Sequence, residues 1–256
     1  MDELPFDVEG VADALVDRYN ARYVLAHGSA VRGREDYDDV DVYAVCDVDY
    51  NRSFDEFEIE TETIDVQINN EDAFRSFRDF YYWYPENIIT EIGMFRYGVP
   101  IVHDEELAAV HEDIATPSDE VRFFIHTYHL GQLLRSRAKK DWKDLWVHKQ
   151  WSVIAVASAY WDQYPQTVHH GEYLDSLTDD QAALMEPMRT ESGFPPTIID
   201  DLIEMTMPRF IEWLDTVREG DTVEIHKRTQ RRAINAVLEA HPDRSPSDIE
   251  IVASKQ

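Results

Sequence analysis

The first stretch with a clear period is residues 7–20, where Val8, Val11, Ala12, Leu15, Val16 and Tyr19 recur at helical spacing. The period then shortens. Arg22–His27 and Val40–Cys46 are apolar runs, Phe57–Ile68 alternates apolar with polar, and each is expected as a strand. Phe74, Phe77, Phe80 and Tyr81 mark a helix over Asn70–Tyr82, and a short one is expected over Pro85–Met94, ended by Gly93 and Gly98. Val99–Val102 reads as an edge strand, because Pro100 has no N–H to offer a neighbouring ladder. A brief helix is expected over Asp104–His111. Beyond Thr116-Pro117-Ser118, where Ser118 can cap a helix, the pattern is helical over 119–138, 142–164, 179–190, 196–218 and 221–240, with a loop at 165–177. The expectation is an α/β (α+β) chain. A small mixed β-sheet with flanking helices occupies residues 1–116, an α-helical bundle 117–242, and a loose polar tail 243–256.

Composition changes the picture through charge. Acidic residues number 52 against 24 basic ones, for a net charge of −28 in 256 residues. Lys occurs only at positions 139, 140, 143, 149, 227 and 255. Such a surface suits high salt, where the screening length falls to about 3 Å at 1 M and self-repulsion fades. A halophile's cytoplasm is the expected setting. The opening MDELPFDVEG lacks a signal pattern, and no apolar run is long enough to span a membrane, so no membrane partner is expected. The single cysteine, Cys46, excludes an internal disulfide and a Cys-based metal site, and reads as core.

Two other groups are less informative. Ten histidines include His126 and His129 on one helix and His169-His170 in a loop, but no His-Glu-x-x-His set accompanies them, so packing or surface roles are expected. Arg122, Arg135, Arg137, Lys139, Lys140, Lys143 and Lys149 concentrate positive charge in 28 residues. That cluster reads either as a phosphate-binding patch or as ion-pair partners for the surrounding acids.

The chemistry is concentrated in Tyr23–Asp47. Asp39 and Asp41 stand at i and i+2 at the start of a strand, so their carboxylates project to one face. Two ionised carboxylates that close repel unless a cation lies between them, and Mg²⁺ characteristically takes a couple of carboxylates with substrate phosphates. Ahead of them, Gly28-Ser29 ends the first strand. Gly permits close backbone approach, and successive N–H groups beside a hydroxyl suit phosphate. The competing reading is a surface strand in an Asp-rich chain, since Asp36, Asp38, Asp47 and Asp49 lie nearby.

Gly28-Ser29, Arg32-Gly33 and Asp39-Val40-Asp41, with nine residues between Ser29 and Asp39, resemble the signature of the DNA polymerase β-like nucleotidyltransferase superfamily. The resemblance covers roughly residues 8–105. It implies a third carboxylate on a later strand, matched by Asp65, and Mg²⁺ held at a two-metal site by Asp39, Asp41 and Asp65. It further implies a nucleoside triphosphate held by Gly28, Ser29 and Arg32, with transfer of NMP to an acceptor hydroxyl on RNA, protein or a small molecule. Phe77–Glu106 is similar to an RNA-repair-associated branch, from whose order Pro85-Glu86-Asn87 departs. Within that stretch Glu91 is read as an exposed helical residue rather than a site acid. A second class of function is an antitoxin-like or regulatory nucleotide-binding protein acting on a protein partner. Arg122 and His126 are one residue too close for the RNase motif of the toxins paired with such proteins.

Overall fold

The computed structural model describes residues 4–32, 37–50, 52–77, 88–139, 146–165, 170–186, 197–219, 222–225, 228–240 and 250–253. The chain divides into two compact units, Met1–Trp83 with Glu91–Thr116, and Tyr84–Thr90 with Pro117–Gln256. It is a mixed α/β protein with a helical region.

In the first unit, α1 (Val8–Tyr19) starts where the Asp7 side chain accepts from Gly10 N–H at 3.1 Å, and stops at Asn20, which turns left-handed with φ 52°. Then come β1 (Ala21–His27), α2 (Gly28–Val31) and β2 (Val40–Cys46). The expected single strand over Phe57–Ile68 is instead an antiparallel hairpin, β3 (Arg52–Ile59) and β4 (Glu62–Asn70). Glu60 makes the turn with φ 52°, a left-handed backbone that the sequence there does not advertise with Gly or Asn. Helix α3 (Glu71–Arg75) follows, capped by the Asn70 side chain at 2.7 Å from Ala73 N–H. Next come α4 (Ile88–Tyr97), which belongs to this unit from Glu91 onward, β5 (Val99–Val102) and α5 (Glu105–Ala115). Gly93 does not end α4, which runs on to Tyr97, just before Gly98. Residues 78–87, including the Pro85-Glu86-Asn87 turn and the later part of the helix expected to Tyr82, lie outside the described residues.

The five strands order as β3-β4-β2-β1-β5, with β5 at one edge as Pro100 requires. β2 and β4 are parallel; the other neighbours are antiparallel. One face, with Val24, Ala26, Val42, Ala44, Val66 and Ile68, packs on Val11 and Leu15 of α1. Burying each such large side chain contributes about 1.5–3 kcal/mol. On the opposite face, aromatic side chains cover one end. There Tyr23 and Tyr43 lie under Phe74 of α3, and Phe95 of α4 meets Tyr43 edge-on at 5.0 Å. Beyond that aromatic cover, the described part of this face carries His27, Asp41, Asp65 and Glu56, with the exposed ring of Phe54 beside them.

The second unit contains α6 (Asp119–Lys139), α7 (Trp146–Trp161), α8 (His170–Asp175), α9 (Asp179–Met185), α10 (Thr197–Val217) and α11 (Arg228–Ala240). Helix α8 falls where a loop was expected. The helix expected over 221–240 begins only at Arg228, because Thr222–Ile225 form β7 between β6 (Arg218–Glu219) and β8 (Glu250–Ala253). β8 lies in the segment expected to be loose and pairs in parallel with β7. His126 and His129 are buried, with His126 Nε2 2.8 Å from the Thr206 hydroxyl. Burial lowers His126 to about 3, so it stays neutral. Arg122 donates to the Ala159 and Tyr160 carbonyls at 2.9 and 3.2 Å, and Arg137 pairs with Asp200 at 2.6 Å. Those two members of the basic cluster are thus engaged within the unit. Lys140 and Lys143, and the side chains of Lys139 and Lys149, lie outside the described residues. Among the described residues no helix is long and apolar enough to cross a membrane.

Candidate active site

Strand register builds the site. His27 at the end of β1 pairs with Asp41 of β2, Asp41 pairs with Asp65 of β4, and Asp65 pairs with Glu56 of β3. Residues directly opposite in neighbouring strands share a face, so this row lies along one face of the sheet, the one that carries the aromatic cover at its other end. Asp39 joins it from just before β2. Asp39, Asp41 and Asp65 each offer a carboxylate oxygen, and these atoms lie within 4.8 Å of one another. That is the span a divalent cation with oxygen ligands needs.

The electrostatics show how unfavourable the cluster is by itself. Burial raises the Asp41 carboxyl to about 6, Asp39 and Asp65 add repulsion, and only Arg32 acts in the opposite sense. Asp39 is raised too, by burial first and then by Asp65 and Asp38. Nearby positive charge would reverse both shifts. The donor set therefore fits one or two hard cations: three carboxylates lie close together, and two of them, Asp39 and Asp41, are partly desolvated and repelled by their neighbours.

Gly28 is fixed by the same cluster. Its φ is +76°, and a Cβ built on it would stand 2.0 Å from Asp41 Oδ2. Only a residue without a side chain lets the turn pass this close to the carboxylate. Ser29 follows at the start of α2, and Arg32 at its end donates from Nε to the Gly28 carbonyl at 3.2 Å. Gly28, Ser29 and Arg32 thus border the triad on the β1 side. Gly33 and Arg34 lie outside the described residues. Burial lowers the half-buried His27 to about 4, which keeps it neutral beside the turn.

Two features were missed in the sequence. Glu91 is not exposed: it is 8% accessible, pushed up to about 7 by burial, with Nη1 of Arg52 3.6 Å from its Oε1. Among the described residues its buried Oε2 has no hydrogen-bond partner. Isoleucines at 88, 89 and 92 around it were the available signal, since they place Glu91 within an apolar stretch. The second is β3, whose alternation back to Arg52 puts Phe54 and Glu56 on the triad's face.

Comparison with known proteins adds little to this. No family model matches the chain, and no curated protein matches it. Among solved structures it is similar to a nucleotidyltransferase-like protein from Exiguobacterium sibiricum, with a TM-score of 0.46 and 11% identity. That similarity covers 84% of this chain and 80% of the other. A likeness of this degree leaves the reading of the site to the site's own residues.

Proposed function

We propose that the protein is a metal-dependent nucleotidyltransferase, moving NMP from a nucleoside triphosphate to an acceptor hydroxyl and releasing pyrophosphate. The observation that carries the reading is the Asp39–Asp41–Asp65 cluster beside the Gly28-Ser29 turn. The three carboxylates would hold Mg²⁺, which supplies charge stabilisation at the attacking and leaving oxygens of an in-line displacement. Gly28 and Ser29 receive the β- and γ-phosphates, and Arg32 contributes positive charge on the same side. Asp65, farthest of the three from that turn in strand order, orients the acceptor hydroxyl and accepts its proton. The acceptor oxygen bonds to the α-phosphorus as the bond to the bridging oxygen breaks. These residues position the reactants and complement charge, and no covalent intermediate with the protein is needed.

Calorimetry tests the first requirement. Wild type should bind a non-hydrolysable α,β-methylene NTP only with Mg²⁺ present, and Asp39→Asn or Asp41→Asn should lose that binding. Equal binding with and without the metal would overturn the reading.

A further inference from the structure

Strand order gives the sheet face a direction. From β1 towards β3 it presents the Gly28-Ser29 turn, then Asp41, then Asp65, then the exposed face of β3. In-line displacement puts leaving pyrophosphate and attacking hydroxyl on opposite sides of the α-phosphorus. With the phosphates at Gly28-Ser29, as in the function proposed above, the acceptor approaches over β3.

An exposed aromatic ring waits on that strand. Phe54 is 69% accessible, against about 40% for Val16, Tyr50 and Tyr97, the other exposed large apolar residues among those described. It pairs with Gln67, two positions along β4 from Asp65, so it is diagonal to Asp65 at roughly 7–8 Å between backbones. Scattered apolar side chains on a surface are ordinary. This one carries a cation: the Arg52 guanidinium lies 5.2 Å from the ring centroid. Arg52 is itself held, donating from Nη2 to Gln67 Oε1 at 2.9 Å and pairing with buried Glu91 at 3.6 Å. The guanidinium is thus held against the Phe54 ring, on the strand next to Asp65.

We propose that Phe54, with Arg52, is a stacking platform for the acceptor, and that the group it takes is the terminal nucleobase of a single-stranded nucleic acid whose 3′ hydroxyl is presented to Asp65. Every nucleobase has a π-face for an aromatic ring, and a guanidinium at the ring's side adds to the stack. Glu91 and Gln67 are positioning residues that hold Arg52. In a chain of charge −28 the phosphate backbone gains little, so recognition falls on the base.

The test uses the full chain in 1 M KCl, where screening leaves stacking as the main attraction. Fluorescence anisotropy measures binding of 5′-fluorescein hexa-adenylate and of the same strand lacking its 3′-terminal base. Wild type should prefer the complete strand by about tenfold or more. Phe54→Ala should lose that preference and Phe54→Trp keep it. Equal binding of the two strands by wild type, no binding of either, or a preference that survives Phe54→Ala overturns the platform. Magnesium-dependent binding of α,β-methylene NTPs, measured first, separates the failures. Its absence in wild type fails the nucleotidyl-transfer reading and the platform with it, whereas its loss in Phe54→Ala alone assigns the ring to the incoming nucleotide and overturns the acceptor assignment.

Discussion

Gly28 lies so close to Asp41 that a Cβ at Gly28 would stand 2.0 Å from the Asp41 Oδ2 and 2.9 Å from its Cγ. Turn and carboxylate therefore occupy their positions together. Gly28→Ala should displace Asp41 and strain a backbone at φ +76°, lowering kcat/KM by about 100-fold or more while circular dichroism stays native. Steady-state kinetics in Mg²⁺ checks this; wild-type rates would show that the turn tolerates a methyl group.

The metal-free cluster should be a source of instability. Asp41 is partly desolvated and repelled by Asp39 and Asp65. Asp41→Asn should melt higher than wild type in EDTA, by a few degrees. Added Mg²⁺ should raise the wild-type Tm and leave the variant's unchanged, because a cation that binds only the folded state stabilises it by mass action. Thermal denaturation with and without the metal reads both effects.

Glu91 gives the stability a pH dependence. Burial raises its carboxyl from an ordinary 4.5 to about 7, with Arg52 opposing. The folded protein then keeps a proton that the unfolded chain has already lost. The stability this group contributes is complete below about 4.5 and is lost as pH rises through 7. Glu91→Gln keeps the neutral form at every pH. Its Tm relative to wild type should therefore climb between pH 5 and pH 8, and a flat difference would show that Glu91 ionises normally.

In the helical unit, Gly131 of α6 lies against α11, where an added Cβ would stand 2.0 Å from the Thr229 carbonyl oxygen. The obstacle is backbone and cannot rotate away. Gly131→Ala should cost about 1–3 kcal/mol. That corresponds to a fall in Tm of about 2–4 °C per kcal/mol, measurable by calorimetry.

How far these features were legible depends on what each one rests on. Asp39 and Asp41 share a face by strand geometry alone, so their pairing could be read locally. Where Asp65 lies relative to Asp41 depends on the parallel register of β2 and β4, which no local pattern encodes. The hairpin was hidden because Glu60-Thr61 turns without Gly, Asn or Pro, and Phe54 and Glu56 were hidden with it. β7 has no local signature, because its parallel partner, β8, is supplied from 250–253, far along the chain. Glu91 departs from the expectation because charge usually means exposure, and only tertiary packing overrides that. The mixed α/β class itself followed from periodicity.

The most direct single measurement is label transfer from α-³²P NTPs in molar KCl with Mg²⁺ and total RNA as acceptor, comparing wild type with Asp41→Asn. Label should enter RNA with wild type and fall by orders of magnitude with the variant, the loss expected when a carboxylate that holds the metal is removed. Transfer by Asp41→Asn at the wild-type rate would contradict the assignment of the Asp39–Asp41–Asp65 cluster as the reaction centre.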